Sequence, residues 1–206
     1  GYEQIRNWAF QYKDDKDGFI SYLLTDQPEP PKYFAMMKKL NKVERPLLTS
    51  VPVQKELSSN ELTEAINKGI KIIDTRNKTD FAQGFIPKSL NIQANDSFAT
   101  WAGWYLKYDE PFILLAAPDK LEELTRKLMR IGLDNVMGYI PSTDVYTQTG
   151  ASLQTVSYID LEAFKAQINE NNIQIVDLRG VAEYNSGHIQ GAKNVFVGTL
   201  EDNLDK

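Results

Sequence analysis

Residues 72–92 read IIDTRNKTDFAQGFIPKSLNI, and residues 175–195 read IVDLRGVAEYNSGHIQGAKNV. A shift of 103 places Ile72 on Ile175, Asp74 on Asp177, Arg76 on Arg179, Gly84 on Gly187, Ile86 on Ile189 and Asn91 on Asn194. Six of 21 positions are identical, and several others are Ile/Val, Asp/Glu or Phe/Tyr exchanges. A period this long is too great for a solenoid and fits two tandem domains. Each copy follows a helix opened by a capping residue, Ser58 in the first and Asp160 in the second.

Outward from the first copy the pattern alternates. Ser58-Ser-Asn-Glu61 is a capping box ahead of a helix carrying Leu62 and Ile66, which Gly69 stops. Lys71-Ile-Ile-Asp74 suits a short buried strand, and residues 79–83 suit one or two helical turns ending at Gly84. Phe98, Trp101, Ala102 and Tyr105 stand at i, i+3, i+4 and i+7, the spacing of an amphipathic helix. Phe112-Ile-Leu-Leu-Ala116 is an unbroken apolar run, and Leu121, Leu124 and Leu128 mark the helix after it, stopped by Gly132. Strands alternating with helices predict an α/β fold, a mostly parallel sheet covered by helices on both faces.

Five of nine prolines (Pro28, Pro30, Pro31, Pro46 and Pro52) fall between residues 28 and 52 and set a leading segment apart. Asp17 is expected to open a short helix in it. Pro31 suits the first turn of another, with Tyr33, Met37 and Leu40 on one face. Neither helix can bury its apolar side alone. The expected organisation is a helical tail of another domain at 1–45, a linker at 46–52, a complete domain at 53–148 and a second copy at 150–206. The shift of 103 carries Phe112 to position 215, beyond Lys206, so the second copy is expected to be an N-terminal half. The chain, which opens on Gly1, then reads as part of something longer.

Composition excludes most chemistries. The 206 residues suit one or two domains of about 150 each and can bury a sizeable core. There is no cysteine and one histidine, His188. That inventory removes disulfides, cysteine nucleophiles and the usual zinc and facial-triad metal sites, so no metal or cofactor is expected in this chain. Lys and Arg number 23 against 28 Asp and Glu, a net charge of −5. Such an acidic balance argues against a nucleic-acid partner. No apolar stretch approaches about 20 residues, so no membrane span is expected.

The segment Asp177-Leu-Arg179, followed by Tyr184-Asn-Ser-Gly187-His188-Ile189-Gln-Gly191-Ala192-Lys-Asn194, resembles the opening signature of the rhodanese superfamily. The first copy departs from it, with Phe85 at the His position and Pro87-Lys88 in place of Gln-Gly. The leading stretches GYEQIRNWA (1–9) and QPEPPKYF (27–34) look like the C-terminal tail of metallo-β-lactamase-fold persulfide dioxygenases. Together the chain resembles the back half of a persulfide dioxygenase–rhodanese fusion, a sulfide-detoxifying architecture. The resemblance implies a cytoplasmic parent that oxidises low-molecular-weight persulfide and transfers sulfane sulfur, with thiosulfate as a further ligand. It also implies non-haem iron in the parent's dioxygenase domain and is compatible with a homo-oligomer.

A rhodanese site needs a Cys at the end of a central strand, wrapped by backbone N–H groups at a helix N-terminus that stabilise the thiolate. In the first copy that place holds Ala116, Ala117, Pro118 and Asp119. Pro118 removes a donor and Asp119 sets a negative charge where an anion should bind. The first copy therefore reads as a degenerate rhodanese-like domain without catalysis, and the portion as a whole as non-catalytic. Asp74, Arg76, Asp177, Arg179, Gly187 and His188 read as mainly structural members of the motif. Trp104 and Tyr108 read either as core or as a docking patch, and Asp14, Asp15 and Asp17 as a solvated acidic turn. The alternative readings are a non-enzymatic interaction or scaffold module and, more weakly, a phosphatase of the same fold.

Overall fold

In the computed structural model, Asp15 rather than Asp17 opens the first substantial helix, its carboxylate accepting the Gly18 N–H at 2.8 Å. The structure describes residues 1–25, 27, 29–45, 47–168, 170 and 173–203. Pro28 of the expected tail, Pro46 of the expected linker and residues 204–206 of the second copy lie outside the described residues. The leading segment holds α1 (Tyr2–Arg6), a 3-10 turn at Trp8–Tyr12, α2 (Lys16–Leu24) and α3 (Tyr33–Leu40). The first copy follows with α4 (Ser59–Asn67), β1 (Lys71–Asp74), α5 (Lys78–Gln83), β2 (Leu90–Asn91) and α6 (Phe98–Tyr105). It continues through β3 (Phe112–Leu115), α7 (Leu121–Arg130), β4 (Val136–Ile140) and α8 (Asp144–Thr147). The second copy brings α9 (Leu161–Gln167), β5 (Val176–Asp177), α10 (Val181–Ser186) and β6 (Lys193–Asn194).

Two compact units divide the chain: Pro31–Ile173, and Gly1–Pro30 together with Gln174–Lys206. The leading segment is thus shared, α1 and α2 in one unit and α3 in the other.

The larger unit is built on a four-stranded parallel sheet in the order β2-β1-β3-β4. Because side chains alternate across a strand, each strand feeds two cores. Ile73, Phe112, Leu114 and Tyr139 face a cluster completed by Phe98, Leu124 and Leu128 of α6 and α7. Ile72, Ile113, Leu115 and Ile140 face a second cluster with Leu57, Leu62 and Ala65, over which Val145 and Tyr146 of α8 pack. Helices therefore cover both faces. The capping box forms as the sequence predicts, Glu61 N–H to Ser58 Oγ at 3.4 Å and Ser58 N–H to Glu61 Oε2 at 2.9 Å. Gly69 and Gly132 end α4 and α7 with φ of 74° each, the left-handed region that glycine enters without a Cβ penalty.

Helix α3 seats its predicted face on this unit. Tyr33 and Met37 pack against the α6–α7 cluster, and the space a side chain at Gly103 would need is taken by the Tyr33 ring, 2.2 Å from an ideal Cβ. Residues 150–158 strap the same unit from the other side. Phe85 and Gln154 exchange backbone hydrogen bonds at 2.8 and 2.9 Å, and Val156 N–H donates to Ala82 O at 3.0 Å.

In the smaller unit the second copy repeats the β–α–β element: β5 and β6 pair in parallel with α10 between them. The tail's Trp8, Tyr12, Phe19 and Tyr22 form a ring cluster with centroids 4.5–6.3 Å apart.

Candidate functional site

The repeated Asp-x-Arg forms one clamp built twice. Asp74 ends β1, and its fully buried carboxylate accepts the Arg76 backbone N–H at 3.0 Å and the guanidinium at 2.6 Å. Arg76 Nη2 also donates to Gly84 O at 2.7 Å, fastening the strand end to the end of α5. Asn91 closes the loop from β2, donating from Nδ2 to Asp74 O and Arg76 O at 2.9 Å each. In the second copy Arg179 reaches Asp177 at 2.6 Å and Gly187 O at 2.8 Å, and Asn194 reaches Asp177 O and Arg179 O at 3.1 and 2.8 Å. The Arg179 hydrogen bonds hold the Asp177 carboxyl down at about 2. An Arg committed to a carboxylate and a carbonyl braces a turn and offers its strongest donors to no ligand.

His188 follows the Gly187 turn. Its ring stacks on Tyr184 with centroids 3.7 Å apart, and Nδ1 lies 2.9 Å from Tyr184 O. The first copy uses Phe81 on Phe85 for the same stack, 4.4 Å apart. A ring position filled by either Phe or His is set by packing, with the His hydrogen bond an addition.

The residues expected to stand at the nucleophile position of the first copy lie at the tip of β3. Ala116 is buried, its N–H donating to Ile140 O at 3.1 Å. Ala117, Pro118 and Asp119 are exposed, and Pro118–Lys120 runs as a 3-10 turn straight into α7. Pro118 has no N–H to contribute to an anion cradle. Behind it, Glu122 and Glu123 stand in the first turn of α7. A hydrogen bond from Lys127 keeps Glu123's carboxyl below the usual range, so the charge is present at neutral pH. The turn, Asp119 and both glutamates disfavour an anion here.

Trp104 lies in the core, 7% exposed, and Tyr108 is tied down by its hydroxyl, which donates to Ile131 O at 2.7 Å. The docking-patch reading of these two is corrected by that burial and that hydrogen bond. Among the described residues no three His, Asp or Glu side chains converge, so a non-haem iron has no ligand set in them. Among the described residues no helix is long and apolar enough to cross a membrane. Ile175, Val176, Leu178, Ile189 and Ala192 form a groove beside Asp177.

Comparison with known proteins places this geometry. The rhodanese-like domain family matches residues 58–147 and 160–206. A search of curated proteins returned no match. Among solved structures, a metallo-beta-lactamase from Staphylococcus aureus subsp. aureus COL is 33% identical over 68% of this chain and 39% of its own, with a TM-score of 0.57. This chain therefore spans about two fifths of that protein's length. A thiosulfate sulfurtransferase from Pseudomonas aeruginosa is 18% identical, covering 85% of this chain and 38% of its own at a TM-score of 0.40. A rhodanese-related protein from Thermoplasma volcanium is 19% identical, covering 50% and 99% at 0.40. With the family matched on both copies of the Asp-x-Arg clamp and across most of its length, the chain belongs to the rhodanese-like family.

Proposed function

We propose that this chain is the non-catalytic portion of a cytoplasmic, sulfide-detoxifying persulfide dioxygenase–sulfurtransferase. The parent oxidises a low-molecular-weight persulfide at a non-haem iron held by residues outside this chain, and transfers sulfane sulfur, with thiosulfate as donor or product. The observation that carries the reading is the 33% identity to a metallo-beta-lactamase protein across 68% of this chain, in a chain with two rhodanese-like segments and no cysteine. The first copy supplies scaffold: its core is complete, while its β3 tip presents Ala117, Pro118 and Asp119 to solvent.

Oxygen uptake with glutathione persulfide tests the reading. The gene product containing this chain should consume oxygen, and the chain alone should neither consume oxygen nor make thiocyanate from thiosulfate and cyanide. Thiocyanate above a heat-killed control, or a gene product inert toward the persulfide, overturns it. The second reading, a pure interaction module, is favoured by the same intact core with a non-nucleophilic tip. It predicts a gene product with neither activity.

A further inference from the structure

Helix α6 carries Gly103 in its interior, where glycine is less favourable than alanine because it gives up more backbone freedom on folding. The missing side chain makes room for a ring. A Cβ on Gly103 would stand 2.2 Å from Cδ1, 2.8 Å from Cγ and 3.0 Å from Cβ of Tyr33 on α3. The last of these atoms is fixed to the α3 backbone, so rotating the ring does not relieve the clash. Four residues on, Met37 packs against the same cluster. Leu40 follows at i+7, its Cδ1 2.3 Å from an ideal Cβ on Gly132, just past α7. Beyond the helix, Arg45 Nη2 donates to Asp134 Oδ2 at 2.9 Å, both side chains about two-fifths exposed. Anchors at i, i+4 and i+7 laid on an apolar face are the helix-in-groove mode of recognition.

We propose that the face from Gly103 to Gly132 is a groove for a short amphipathic helix, and that α3 is its tethered occupant, a clip that docks and releases while the sheet beneath stays folded. The seat is shallow, since none of the eight residues of α3 is buried. Lys32 at the N-cap offers no acceptor to the free N–H groups of the first turn. A helix this short does not persist in water alone, so α3 is helical through its contacts with the groove. The sheet has no such dependence: the cluster on its other face, with Leu62, Ile113 and Ile140, contains no residue of α3. Docked, α3 sets where the chain enters this unit. Released, that point moves to Lys55 and Leu57, which hold Tyr139 by backbone hydrogen bonds of their own at 2.8 and 2.9 Å. The proposal stands apart from any assignment of the parent's activity.

The test uses the whole chain, isotopically labelled. Amide exchange is read at Asn41, whose N–H donates to Met37 O at 3.0 Å, and at Ile73 and Leu114 in the sheet. Gly103→Ala should speed exchange at Asn41 by about tenfold or more and leave Ile73 and Leu114 unchanged. Tyr33→Ala, which removes an anchor and adds no atom to the core, should do the same. In a chain already carrying Tyr33→Ala, Gly103→Ala should add less than about twofold at Asn41, because the ring it would strike is gone. Unchanged exchange at Asn41 in either single variant, equal acceleration in the sheet, or a full further increase in the double variant would each overturn the proposal. Protection at Asn41 that rises with chain concentration would assign the groove to α3 of a second copy and overturn it as well.

Discussion

Ser89 and Ala192 occupy the same place in the two copies, which turns one residue into an experiment. Ser89 Oγ is buried and finds no hydrogen-bond partner among the described residues, while Ala192, also buried, has no hydroxyl to satisfy. Leaving a buried hydroxyl unpaired costs about 1–3 kcal/mol, so Ser89→Ala should stabilise the first copy by about 1 kcal/mol. A thermal midpoint that falls in the variant would show the hydroxyl has a partner in solution. Asp177 gives a pH dependence with a definite sign. Its carboxyl titrates at about 2 when folded against about 3.9 in an unfolded chain. A depressed folded value means the clamp contributes fully above about pH 4 and is lost as pH falls toward 2. The Arg179 amide should lose protection across that window, as read by exchange at successive pH values. An onset above pH 5 would implicate another group. At the β3 tip, Ala117→Cys should yield a thiol with pKa near the ordinary value of about 8.5, since the turn and its acidic neighbours offer nothing to a thiolate. Iodoacetamide rates against pH measure it. A thiol pKa near 6 would mean the turn does form an anion cradle.

At the scale of elements, β4 depends on one glycine. The backbone from Lys55 to Leu57 crosses this strand, Tyr139 N–H donating to Lys55 O at 2.8 Å and Leu57 N–H to Tyr139 O at 2.9 Å. A Cβ on Gly138 would stand 2.7 Å from Lys55 O and 2.8 Å from Leu57 Cδ2. The nearest atom is backbone and cannot swing away, so Gly138→Ala should cost about 2 kcal/mol, visible as a lowered urea midpoint. An unchanged midpoint would show that residues 55–57 detach freely. The same glycine explains why β4 was illegible in sequence, for Val-Met-Gly-Tyr-Ile lacks the unbroken aliphatic run that announced β1 and β3. The capping box, the glycine stops and the Asp-x-Arg repeat were legible because each is a local signal with its own partner a few residues away. The α6 aromatics were legible as a helix but ambiguous as surface, since the burial of Trp104 depends on tertiary neighbours that periodicity within α6 cannot show.

For the whole molecule, the two copies share a turn and differ in what surrounds it, so each serves as the other's control. Ile73 and Val176, or Ile86 and Ile189, sit at matched positions of the repeat within matched hydrogen bonds. The first copy encloses its members between two clusters, whereas the second leaves Val176, Leu178 and Ile189 about two-fifths exposed. Fully burying such a side chain contributes about 1.5–3 kcal/mol, and partial forfeits at three positions weigh heavily against a domain stability of about 5–15 kcal/mol. Local opening should therefore be easier in the second copy. Amides of 175–195 in this chain should exchange about a hundredfold faster or more than those at the matched positions of 72–92. Each amide's rate is divided by the intrinsic rate of its own sequence, so the ratio reports opening. Equal protection at the paired positions would refute the inference that the sheet around the turn, and not the clamp within it, sets the stability of each copy.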